Sequence, residues 1–115
     1  MADCIFCRIV AGEIPAKIAK RTPEAIAFHD LNPQAPVHLL VVPVKHLAAV
    51  REARSPEDRM LVGRLLGFAT EVATELGLDQ GGYRLVTNTG GDGGQTVDHL
   101  HFHLLGGRKM GWPPG

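Results

Sequence analysis

His99-Leu100-His101-Phe102-His103-Leu104-Leu105 alternates imidazoles with apolar side chains. Successive side chains of a strand point to opposite faces. A strand here sends three imidazoles to one face and Leu100, Phe102 and Leu104 to a core. The chain holds 6 histidines, and half of them fall in this run. Imidazole exchanges a proton near neutral pH, attacks electrophiles and binds metals. A row of three beside the glycine-dense Gly90-Gly91-Asp92-Gly93-Gly94-Gln95-Thr96 points to chemistry on a phosphate.

Outward from this run, Tyr83 to Asn88 reads as the preceding strand and the His strand starts near Asp98. Upstream, Ser55-Pro56-Glu57-Asp58 is a helix start, with Ser as N-cap, Pro at the first position and acids in the first turn. Leu61, Leu65, Phe68, Val72 and Leu76 repeat at helical spacing, and Gly77 ends the helix. Gly63 and Gly67, one turn apart, are either tolerated or leave room for another element, a second subunit included. His38 to Pro43 is a near-continuous apolar run, a central strand closed by proline, after which Lys45-His46-Leu47 opens a short helical turn. Lys17 to Lys20 and Ala25 to His29 form a hairpin across Arg21-Thr22-Pro23-Glu24. Cys4 to Val10 is a short helix stopped near Gly12. These elements imply an α+β fold, an antiparallel sheet of roughly five strands with one long helix on one face.

Composition narrows the function. At 115 residues the chain is long enough for one domain with its own core. Lys and Arg number 12, as do Asp and Glu, so bulk charge gives no grip on nucleic acid or an anionic membrane. A small anion needs only a local field. Met1-Ala2-Asp3-Cys4 does not open a signal peptide and no apolar stretch approaches a membrane span, so a cytoplasmic location is expected. Cys4 and Cys7 stand at C-x-x-C spacing. No strand precedes them, as a redox motif requires, so a metal knuckle is the better reading. Two thiolates make half a tetrahedral zinc site, and histidine is the natural source of the rest.

Gln95-Thr96-Val97-Asp98-His99-Leu100-His101-Phe102-His103-Leu104-Leu105 resembles the signature of the histidine triad (HIT) superfamily. The tail Gly106-Gly107-Arg108-Lys109-Met110-Gly111-Trp112-Pro113-Pro114-Gly115 is similar to that of its Hint branch, the nucleoside phosphoramidases. Ile5-Phe6, Glu13 to Ile18, Ala27 to Asp30 and Pro33 to Pro36 extend the likeness over nearly the whole chain. The resemblance implies a single HIT domain over residues 1–115. It also implies that His101 attacks the phosphorus of a purine nucleotide (AMP or GMP) joined to a leaving group, giving a nucleotidyl-imidazole that water then opens. His103 would bond the phosphoryl oxygens or the leaving atom, and His38 would orient the triad. Gly94, Gln95, Thr96 and Val97 would hold the phosphate, and Asn88, ending the preceding strand, occupies another position that contacts ligand in relatives. Asp30 would accept from the ribose hydroxyls, with His29 beside it, and Ile5, Phe6, Ile9, Ile14, Phe28 and Leu31 would enclose the base. Phe28 and Leu31 have a plain core reading as well, and His29 one as a packed neighbour. Relatives are homodimers whose tail, here carrying Trp112, reaches the partner's site.

Zinc-bearing members of the superfamily carry ligands at the positions of Cys4, Cys7, His46 and His99. This Cys₂His₂ set would be structural, since it leaves no open position for water. The alternative, a catalytic zinc on His99, His101 and His103, is less favourable because alternate residues of a flat strand lie about 6.6–6.8 Å apart. Three positions depart from the Hint pattern: Thr96 stands for Ser, Asp98 for an aromatic and Gly111 for His. Three functions follow. They are a purine nucleoside phosphoramidase, a dinucleoside polyphosphate hydrolase or nucleotidyl transferase, and a nucleotide-binding module without turnover.

Overall fold

Strand β3 (Val37–Pro43) decides the architecture, because Leu39 to Pro43 are buried on both faces. Such a strand must lie inside a sheet covered on both sides. The computed structural model describes residues 4–115, and the reading of Met1 to Asp3 lies outside them. Five antiparallel strands run in the order β1-β2-β3-β5-β4, with β1 at Ile18–Arg21, β2 at Ala25–His29, β4 at Tyr83–Val86 and β5 at Phe102–Gly106. The α+β class expected from the sequence is the one observed.

Helix α2 (Pro56–Glu75) covers one face. Ser55 Oγ accepts from Asp58 N–H at 3.0 Å, Pro56 needs no partner for its missing N–H, and Gly77 ends the helix at φ 74°. Leu61, Leu65, Phe68, Ala69, Val72 and Ala73 turn inward onto Ala25, Ala27, Leu39, Val41, Phe102 and Leu104. Leu39 and Leu104 face each other across β3 and β5, both fully buried, each worth about 1.5–3 kcal/mol of apolar transfer. Nothing among the described residues approaches a side chain built at Gly63 or Gly67.

The other face is covered by α1 (Ile5–Val10), where Phe6 and Ile9 pack on Ile26, Phe28, Leu40 and Val42. Cys4 is the N-cap, its sulfur accepting from Cys7 N–H at 3.3 Å. No helix of the described residues is long and apolar enough to cross a membrane.

Strand β1 is displaced by one residue from the sequence reading, to Ile18–Arg21, β3 starts one residue earlier, at Val37, and three boundaries differ by more. Strand β5 begins at Phe102, not near Asp98, and β4 stops at Val86. Pro43 has no N–H for the ladder, and its carbonyl accepts from His99 Nε2 at 2.9 Å. Across the other edge, Thr87 Oγ1 donates to His101 O at 2.8 Å, a side-chain bond where a ladder bond would otherwise fall. The first helical turn after β3 is a 3₁₀ turn at Val50–Glu52, not at Lys45–Leu47. There, His46 is turned toward the cysteines and Leu47 O is taken by Leu100 N–H at 2.6 Å.

Candidate active site and metal centre

The alternation of the His run survives outside the regular strand: Leu100, Phe102 and Leu104 enter the α2-side core, and the imidazoles face the opposite way. His101 Nδ1 lies 2.7 Å from the carbonyl of His99. A carbonyl only accepts, so Nδ1 carries a proton, and in the neutral ring Nε2 is left with the lone pair. Phe6 meets the ring edge-on, with centroids 5.2 Å apart. The buried ring is thus held by a hydrogen bond on one side and an aromatic wall on the other.

The same logic sets His38 and His103. Gln34 N–H donates to His38 Nδ1 at 3.0 Å. Neutral His38 therefore carries its proton on Nε2, which lies 2.8 Å from His103 Nδ1. His103 accepts there and presents Nε2–H outward. Asp30 Oδ2 stands 3.5 Å from His38 Nε2, while Asp30 Oδ1 accepts from Asn32 N–H at 2.7 Å. Burial pushes the pKa of His38 below the ordinary imidazole value, with Asp30 opposing. Burial also lowers that of His103, aided by His101 and His38 and opposed by Asp30. Both rings are neutral near pH 7, so the proton positions follow from the partners.

His101 and His103 open onto a cavity of about 280 Å³. Ile5, Phe6, Ile9, Ile14, Phe28, His29, Asp30, Leu31, Thr96 and Val97 all line it. Leu31 is a fully exposed rim residue and Ile5 is half-exposed, so neither belongs to the core. Pro15, Ala16, Lys17 and Leu40 line it too, although the sequence reading did not name them for it. Leu40 was accessible to the reading, because it shares a face of β3 with His38. Asn88 and Trp112 are not among the lining residues, and Trp112 is largely exposed.

The glycine loop has its own internal bonding. Gln95 Nε2 donates to Ala48 O at 2.6 Å and Val97 O at 3.0 Å, and its Oε1 accepts from Gly90 N–H at 3.0 Å. Gln95 N–H donates to Gly90 O at 3.1 Å, and Gly94 N–H to Gly91 O at 3.0 Å. Gln95 is a bracket across the loop, and its donors and that of Gly94 are spent inside it. Of the residues lining the cavity, Thr96 and Val97 bring N–H groups, and Thr96 a hydroxyl, that have no hydrogen-bond partner among the described residues. Neither this bracket nor the Gln34 N–H on His38 was legible in the sequence, since each bond has a main-chain group at one end.

The remaining imidazole of the run turns to the cysteines. His99 is wholly buried. Its Nε2–H donates to Pro43 O, leaving Nδ1 3.1 Å from His46 Nδ1, 3.2 Å from Cys4 Sγ and 3.5 Å from Cys7 Sγ. Cys7 Sγ lies 3.3 Å from His46 Nδ1, and all four ligand atoms are within 4.8 Å of one another. A tetrahedral zinc, with Zn–N of about 2.0–2.1 Å and Zn–S of about 2.3 Å, sets N–N edges near ~3.3 Å and S–N edges near ~3.6 Å. The donor set therefore closes around a metal ion with little movement, and His99 has the second-shell carbonyl that metal-bound imidazoles use. Without a cation, burial and then Cys4 push the Cys7 thiol up to about 11. His99 is held neutral mainly by burial, with the Pro43 bond opposing. His101 and His103 are not part of this cluster.

The comparisons with known proteins agree with this geometry. The HIT domain family model matches residues 11–110. An uncharacterized HIT-like protein of Synechocystis sp. is 53% identical over 114 residues, covering 98% of this chain and 97% of that protein. A HIT family hydrolase from Legionella pneumophila superposes with a TM-score of 0.94 at 47% identity, over 98% of this chain and 100% of the other. A histidine triad nucleotide-binding protein from Candida albicans does so at 0.81 and 33% identity, over 96% and 83%. The chain belongs to the HIT domain family.

Proposed function

We propose that this chain is a purine nucleoside phosphoramidase of the Hint type, hydrolysing the P–N bond of AMP- or GMP-linked amines through His101. The observation that carries the reading is the bond from His101 Nδ1–H to His99 O at 2.7 Å. It leaves a lone pair on Nε2 of a ring that lines the same cavity as His103, Thr96 and Val97. The lone pair attacks phosphorus, the P–N bond breaks, and its electron pair leaves with the nitrogen, which takes up a proton. Water then displaces His101 from the nucleotidyl-imidazole and releases the monophosphate. Thr96, Val97 and His103 stabilise the charge on the phosphoryl oxygens. Phe6, Ile9, Ile14 and Phe28 suit a purine, and Asp30 Oδ2 suits the ribose hydroxyls. In this reading Asn88 is a more remote contact.

Cys4, Cys7, His46 and His99 would hold a structural zinc, which when bound supplies a cross-link between α1 and the sheet. The chain acts as one domain and as a homodimer whose partner receives the Trp112 tail, in the cytoplasm.

An adenosine 5′-phosphoramidate of a fluorescent amine, offered beside diadenosine tetraphosphate, tests the activity. Amine release that disappears in His101→Ala is expected. Preference for the polyphosphate would move the protein to another branch, and nucleotide binding without turnover of either would make it a binding module.

A further inference from the structure

We propose that the hollow next to Thr96 is a leaving-group subsite selective for amines that carry a second, positive charge, with Asp98 as its specificity determinant. The inference rests on the phosphoramidase reading and names the substrate class of that site. A phosphoramidate has two arms, and the main cavity accounts for the nucleoside arm only. The second arm must leave the phosphorus on the side away from His101 Nε2, because attack and departure are roughly in line.

A second hollow of about 380 Å³ adjoins the main cavity, lined by Cys4, Ile5, Thr96, Val97 and Asp98. It shares Ile5, Thr96 and Val97 with the main cavity. Thr96 and Val97 also bear the unspent donors, so a phosphate held by them sits on the wall between the two spaces. Ile5 and Val97 give this hollow apolar sides that suit a run of methylenes. Asp98 is its one carboxylate, exposed and with no Lys, Arg or His of the described residues at ion-pair distance. Apolar walls ending in an unpaired carboxylate match an alkyl chain ending in an ammonium. The same carboxylate repels a polyphosphate arm, which disfavours dinucleoside polyphosphates at this site.

The test compares adenosine 5′-phosphoramidates of an alkyl monoamine and of the diamine of equal length, with adenosine 5′-sulfamides bearing the same arms as non-hydrolysable ligands. For an exposed pair, kcat/KM for the diamine should exceed that for the monoamine by about two- to five-fold. The ratio should fall towards one in Asp98→Asn and in high salt, and recover in Asp98→Glu, with metal content equal in all three proteins. A ratio of one in the unaltered protein, or one that Asp98→Asn leaves intact, overturns the subsite. If no phosphoramidate turns over but the cationic sulfamide still binds more tightly through Asp98, the subsite stands and the phosphoramidase reading falls.

Discussion

His99 and His101 are joined through one peptide carbonyl: the buried imidazole of His99 faces the cysteines, while its main-chain oxygen accepts from His101 Nδ1–H at 2.7 Å. The residue that completes the candidate metal-binding cluster also supplies the carbonyl that fixes a proton on Nδ1 of the proposed nucleophile. Structure and chemistry are therefore coupled over two residues of chain.

His101→Ala should lower phosphoramidate turnover by roughly 10³-fold or more, because it removes the atom that forms the covalent intermediate. Metal content should stay at the level of the unaltered protein, since His101 is outside the cluster. Metal analysis on the inactive variant checks this. Loss of metal together with activity would contradict the separation of the two sites.

Cys7→Ser, or a strong chelator, should remove the ion and loosen α1 from the sheet. The melting temperature should drop by about 5 °C or more, as a loss above ~1 kcal/mol does in a domain of this size. Hydrogen exchange should rise first in Ile5–Val10. An unchanged melting curve on a metal-free sample would remove the structural role.

The low pKa of His38 and of His103 gives stability a pH dependence. Unfolded imidazoles take up protons near their ordinary value of about 6.5, while burial keeps these two neutral in the folded state. Their contribution is fully present above that value and is lost as pH falls from it towards the folded-state values. Unfolding midpoints measured between neutral and mildly acid pH should therefore fall more steeply in the unaltered protein than in His38→Asn. Acid release of the metal is common to both proteins and cancels in the comparison. Equal slopes would show that the pair contributes nothing.

Gly93→Ala tests the phosphate loop. A Cβ at Gly93 would sit well inside contact distance of the Thr89 main chain. The loop must then shift and carry Thr96 with it, so nucleotide affinity should weaken while the global melting temperature changes little. Gln95→Leu should act in the same direction and add about 1–3 kcal/mol of destabilisation, because it leaves Ala48 O, Val97 O and Gly90 N–H without their partner.

Periodicity made most of this fold legible. The caps of α2 at Ser55 and Gly77, the apolar run of β3 and the hairpin of β1 and β2 all lie where local chemistry places them. What escaped was set by groups distant in sequence. Strand β5 is shortened by a bond between His99 and Pro43, and the helical turn after β3 is displaced because His46 faces the cysteines. The site shows the same division. The side chains that converge could be named in advance, whereas the Gln34 N–H on His38 and the bracket formed by Gln95 depend on main-chain groups that carry no sequence signal.

The central claim is that His101 becomes covalently nucleotidylated. Rapid quenching of the protein during turnover of an adenosine 5′-phosphoramidate, followed by intact mass and peptide mapping, tests it most directly. The account predicts a gain of one AMP on the peptide containing His101, absent in His101→Ala. Turnover with no adduct, or an adduct on another residue that persists in His101→Ala, would contradict it.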